Sequence, residues 1–199
     1  MRFVSGACAT DRYINMNPLH GFLDDYGPGH DCQPVPEERI ASYADRLPEP
    51  LLEFWRVEGF CGYNDGLLWF VDPEEYIDIL DEWKVVEHTA FARTGFADLF
   101  LWSPTGWSLL NVHLGSVNPM GSSNLPNIFN ELLRLESVKD GLLLRKIHCK
   151  AVSRLGRIFP DECYTFVPAL ALGGPGTPES VQRVKVREQL SILAQIHGR

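Results

Sequence analysis

Apolar positions change their spacing several times along this chain, and each change marks a predicted element. The densest run lies between Leu47 and Pro73. Leu51, Leu52, Phe54 and Trp55 recur there at helical spacing after Pro50, and Gly59 closes the helix. Asn64-Asp65-Gly66 then predicts a turn into an apolar strand over Leu67–Val71. Phe54, Trp55 and Trp69 in so short a run predict a buried nucleus. Asp72-Pro73 opens a further helix over Glu74–Trp83. At roughly 100° per residue, Glu74, Glu75, Asp78, Asp81 and Glu82 fall within an arc of about 120°, with Tyr76, Ile77, Ile79, Leu80 and Trp83 opposite. This helix is predicted to bury one side and to present a dense anionic strip on the other.

On either side of that stretch the pattern is plainer. Residues 1–17 carry no period and read as strand or loop. Pro18–Tyr26 predicts a short helix with Leu19, Phe22 and Leu23 inward, stopped by Gly27-Pro28-Gly29. Pro36 with Glu37 and Glu38 starts a helix ending near Leu47, and Pro48 breaks it. Residues 84–122 read as β-rich, with a hairpin of Leu99–Trp102 and Trp107–Leu114 about the turn Ser103-Pro104-Thr105-Gly106, and Val117–Gly121 beside it. His113 falls in this alternation as a packed or edge histidine. A helix follows from about Asn124, with Ile128, Phe129, Leu132, Leu133 and Leu135 on its apolar side, until Asp140-Gly141. Leu142–Leu155 predicts a second, carrying Leu144, Ile147, Ala151 and Leu155 on one face and Lys146, Lys150 and Arg154 away from it. The run after Asp161-Glu162 contains Pro168 and reads as an edge or irregular strand. Pro175 and Pro178 bracket a loop, and Val184–Ile196 closes the chain as a helix. The sum is an α+β protein of two packed subdomains, short helices with a mixed or antiparallel sheet, divided into residues 1–88 and 89–199.

Composition sharpens this in two ways. Mean hydropathy is −0.11, and no apolar run approaches the ~18 residues of a membrane-crossing helix. The first residues hold one broken apolar patch rather than a signal-peptide core, so a cytoplasmic, non-membrane protein is expected. Five cysteines (Cys8, Cys32, Cys61, Cys149 and Cys163), odd in number and widely spaced, argue against a disulfide framework and a CxxC zinc site. They point to a reducing compartment. Charge is uneven: residues 1–100 hold 19 Asp/Glu and 7 Lys/Arg, a balance of −12, whereas residues 101–199 hold 7 and 11, a balance of +4. An acidic half disfavours contact with a nucleic-acid backbone and suits a basic partner.

Chemistry is hard to place in this chain. It contains neither a GxSxG nucleophile elbow nor a phosphate-cradling Gly-Lys-Ser/Thr. Cys149 is next to His148, but neighbours on a helix point about 100° apart. Glu58 with Asp65, and Asp161 with Glu162, have no distinctive spacing. His20, His30, Asp31 and Cys32 invite a metal hypothesis, yet nothing nearby completes a converging ligand set. A non-catalytic binding protein with an acidic face is the expectation, with no metal, cofactor or small-molecule substrate.

Several blocks in order then carry a resemblance: DYGPG (25–29), LPEPLLEFWRVEGF (47–60), YNDGLLWFVDPEEY (63–76), FARTGFADLFLW (91–102), DECYTFVPALALGG (161–174) and VKVREQLSILAQI (184–196). Across residues 17–197 the chain resembles the GAD-like domain joined to the type VI secretion immunity C-terminal domain, with Thr165 standing where glycine is expected. The resemblance implies an immunity protein that neutralises a cognate toxin, in this family a DNase, protecting the producing bacterium and its kin. A one-to-one complex with the toxin's basic DNA-binding surface is expected, with contacts at Glu74, Glu75, Asp78 and Glu82 on the acidic helix and Asp24, Asp25 and Asp31 in the acidic N-terminal loop. The alternative is an RNA-associated accessory module using Lys146, Lys150, Arg154 and Arg157.

Overall fold

The computed structural model describes residues 17–121 and 124–199. The strand-or-loop reading of residues 1–16, and the expectation that they hold no signal peptide, lie outside the described residues. Within the described residues, short helices pack on two antiparallel sheets, the α+β class expected. The large sheet has seven strands in chain order: β1 (His30–Gln33), β2 (Phe60–Tyr63), β3 (Leu68–Phe70), β4 (Thr89–Thr94), β5 (Leu99–Ser103), β6 (Gly106–Asn111) and β7 (Ser116–Gly121). Helices α1 (His20–Tyr26), α2 (Glu37–Ala41) and α3 (Glu49–Val57) lie before and between its first two strands. A 3₁₀ turn (Pro73–Tyr76) leads into α4 (Ile77–Glu82) between β3 and β4. After β7 come α5 (Leu125–Asn130), α6 (Glu136–Gly141), α7 (Arg145–Leu155), the strand pair β8 (Glu162–Phe166) and β9 (Val181–Lys185), and α8 (Val186–Ile196).

The sheet separates two cores, because alternate residues of each strand point to opposite faces. Leu68 and Phe70 join one core with Phe91, Phe100, Leu109 and the α3 residues Leu51, Leu52, Phe54 and Trp55. Trp69 and Val71 enter the other with Ala90, Leu99, Leu101 and Leu110. The 124–199 segment covers both: Ile128, Phe129, Leu133 and Leu143 close the first, and Ala151, Tyr164, Phe166, Leu190 and Leu193 close the second. The predicted nucleus around Phe54, Trp55 and Trp69 is buried, but it is divided between two cores. Gly59 at φ +82° is required where α3 turns into β2, since a Cβ there would stand 2.4 Å from the Gln33 carbonyl oxygen. Asn64, Asp65 and Gly66 all take positive φ in the predicted turn.

Several expected boundaries move. The helix begun at Glu37 ends at Ala41, and the one expected from Asn124 to Asp140 is broken into α5, a 3₁₀ turn (Leu132–Arg134) and α6. Residues Val181–Lys185, expected as loop and helix start, form β9, whose pairing with β8 supplies the backbone partners a lone helical turn would lack. The cysteine reading is corrected: Cys32 and Cys61 form a disulfide across β1 and β2, with Cα atoms 4.2 Å apart. Strand pairing brings together residues separated by 29 positions, which spacing along the chain cannot show.

Candidate functional site

The acidic strip is real but shorter and differently turned than expected. The Asp72 carboxylate caps the 3₁₀ turn by accepting from the Glu74 amide at 3.1 Å. A 3₁₀ turn advances about 120° per residue rather than 100°. The change of phase leaves Tyr76, Ile79, Leu80 and Trp83 buried as predicted but turns Ile77 outward, half exposed. Glu74, Glu75, Asp78, Asp81 and Glu82 are all exposed. The Trp83 indole fixes the far end of the strip by donating to the Leu190 carbonyl of α8 at 3.2 Å.

Four of the seven candidate contacts already have cations within the chain. Arg39 lies 3.2 Å from Glu74, which also accepts from the Tyr43 hydroxyl at 3.3 Å. Arg187 on α8 pairs with Asp78 and donates to the Glu75 carbonyl. Lys139 on α6 lies 2.7 Å from Asp25. Arg157 lies 2.5 Å from Asp31, which His30 also contacts at 3.0 Å. The Arg157 hydrogen bond holds the Asp31 carboxyl below its ordinary range. At Asp78 slight burial pushes the other way, yet the Arg187 hydrogen bond and charge hold that carboxyl low as well. Among the described residues no cation pairs with Asp24, Glu75 or Glu82.

These positions do not form one patch. Asp24 and Asp25 sit on α1 rather than in a loop, with Asp25 turned to α6. Asp31, Asp72 and Glu75 share a groove with Gln33 and Pro160, which continues past Asp161 and Lys185 to Glu188 on α8. The three cross-chain pairs Asp25–Lys139, Asp31–Arg157 and Asp78–Arg187 each join the acidic half to the basic half. Three of the acidic half's excess charges are therefore met inside the molecule, and most of the excess remains. The sequence offers no signal for these matches, because the partners stand more than a hundred residues apart.

The alternative basic set is engaged too. Lys146 lies 2.8 Å from Asp140, and Arg154 donates to the carbonyls of Pro178 and Val181. Arg157 is held by Asp31, leaving Lys150 exposed. Of the catalytic and metal readings, Cys32 is in the disulfide, Cys149 is exposed while His148 is buried, and His113 is packed with Nε2 3.0 Å from the Phe96 carbonyl. Burial pushes the His113 and His148 imidazoles down to about 4, the Cys163 thiol up to about 12 and the Asp98 carboxyl up to about 7. All four of these side chains are buried.

One residue that sequence reasoning passed over holds the seam. Arg93 on β4 is fully buried, stacks on Trp69 and donates from Nη2 to the carbonyls of Pro160 at 2.8 Å and Glu162 at 3.0 Å. Its signal was visible as a lone arginine in the apolar run FARTGF. No described helix is long and apolar enough to cross a membrane.

The family model of the GAD-like domain matches residues 17–114, and that of the T6SS immunity protein Tdi1, C-terminal, matches residues 127–197. No curated protein matches the chain. Among solved structures, the crystal structure of Atu4351 from Agrobacterium tumefaciens aligns with a TM-score of 0.69 over 88% of this chain and 87% of that chain, at 20% identity. That likeness is one of fold.

Proposed function

The chain belongs to the type VI secretion immunity proteins that join a GAD-like domain to a Tdi1-type C-terminal domain, and we propose that it neutralises a nuclease toxin by direct one-to-one binding. The observation that carries this reading is the exposed acidic strip of the Asp72-capped turn and α4, where Glu75, Asp81 and Glu82 have no internal cation among the described residues. A nuclease gathers basic residues to hold phosphates, and a surface of opposite sign steers its approach and occupies the same ground. The chain acts here as a stoichiometric inhibitor, without turnover, cofactor or metal. Glu74, Asp78, Asp25 and Asp31 contribute to the contact only by exchanging their internal partners for the toxin's. Asp24, Glu75 and Glu82 need no such exchange.

The test is co-expression with the protein encoded immediately upstream. A stable complex and loss of that protein's DNA cleavage are expected; DNA cleavage undiminished by an equimolar amount of this chain refutes the reading. Within a working complex, replacing Glu75 and Glu82 by lysine is expected to slow association about tenfold at low salt and to weaken its salt dependence. Unchanged association kinetics would remove the strip from the interface.

A further inference from the structure

Ile77 and Val86 are 50% and 66% exposed, and both line a single pocket beside the acidic strip. Isolated apolar residues on a surface need no explanation. These two instead stand over a floor of Tyr43, Pro73, Leu80 and Ala90, so they form the lips of a depression with an apolar floor and a polar wall. Its polar members are unequally occupied. Arg46 donates to the Thr89 hydroxyl at 3.1 Å and lies over the Tyr43 ring, whereas Asp81 has no cation among the described residues. His88 completes the wall with an Nδ1 that has no hydrogen-bond partner. The surrounding segment 74–87 contains Glu74, Glu75, Asp78, Asp81, Glu82 and Glu87 against Lys84 alone.

We propose that this depression is the anchor point of the toxin complex: it receives one aliphatic or aromatic side chain of the toxin, borne on a basic segment whose lysine or arginine meets Asp81. The proposal rests on the immunity reading and says where its affinity resides. Interfaces draw most of their affinity from a few apolar anchors in desolvated pockets ringed by polar groups. Charges at the rim govern mainly how fast partners meet. A strip of carboxylates alone gives speed, while the apolar floor and lips of a pocket beside the strip give residence time. With Glu74 held by Arg39, Asp78 by Arg187 and Arg46 in the lining, Glu75, Asp81, Glu82 and Glu87 still leave the surround net acidic, which favours a basic occupant. The same outward turn that removed Ile77 from the core supplies the pocket's lip.

The experiment uses the full chain and the inactivated form of the protein encoded immediately upstream, with binding kinetics followed at two salt concentrations. Ile77→Ser and Val86→Ser, singly and together, change exposed side chains and are expected to leave thermal stability intact. The double variant is expected to dissociate at least about tenfold faster, with association rate and its salt dependence unchanged. Ile77→Leu, which keeps the apolar lip, is expected to dissociate as the parent does. An unchanged dissociation rate in the double variant overturns the anchor while leaving immunity standing. Failure of the parent chain itself to bind overturns the immunity reading and the anchor with it. If the double variant instead abolishes self-association of the parent and binds the toxin equally well, the occupant is a second copy and the proposal fails.

Discussion

At the scale of single residues, Arg93 decides more than any candidate contact. Its guanidinium is wholly buried, and it satisfies carbonyls on the segment leading into β8 while resting on Trp69. Removing it leaves those carbonyls without donors and opens a gap between sheet and C-terminal segment. Arg93→Met is expected to lower unfolding stability by about 3 kcal/mol, measured by urea denaturation; a change under about 1 kcal/mol would mean water or neighbours replace the guanidinium. Ile77 teaches the reverse lesson. It carries the residue type of a core position, and one helical phase step places it outside.

At the scale of elements, the capped turn before α4 orients the acidic strip. Asp72 accepts from the Glu74 amide and lies 3.2 Å from Arg39, so one carboxylate both starts the turn and ties it to α2. Asp72→Ala is expected to cost about 1 kcal/mol of stability and to speed hydrogen exchange at the Glu74 amide. Exchange unchanged at that amide would show that the turn holds without its cap. The hairpins of β5, β6 and β7 were legible from alternation and the Ser103–Gly106 turn, because local sequence fixes both. β9 was not, since five residues of weak alternation become a strand only by pairing with β8.

At the scale of the whole molecule, the C-terminal segment clasps both faces of the sheet, and three ion pairs plus Arg93 lock it there. The buried titrating groups give this assembly a particular pH response. His113 and His148 have folded values near 4, below the ordinary 6.5, so the stability from keeping them neutral is present above pH 6.5 and is lost as pH falls toward 4. Asp98 has a folded value near 7, above the ordinary 3.8, so its contribution is present below pH 3.8 and is lost as pH rises through 7. The two effects oppose each other between about pH 4 and 6.5. Asp98→Asn removes the second and keeps the first. Its urea midpoint relative to the parent's is therefore expected to fall as pH goes from 7 to 4.5, and a constant difference would show that Asp98 does not titrate there.

The sequence by itself determined the fold class, the main strands and hairpins, the burial of the Leu47–Pro73 aromatics and the family, since period, turn residues and ordered blocks are all local information. Only the tertiary structure decided which carboxylates are left for a partner. Pairing such as Asp78 with Arg187 or Asp31 with Arg157 depends on where distant elements come to rest, and the same holds for the Cys32–Cys61 bond. Charge along a chain reports how much acid a protein carries. How much of it faces outward is set by packing, because an ion pair needs two groups within a few ångströms, and that proximity belongs to the fold.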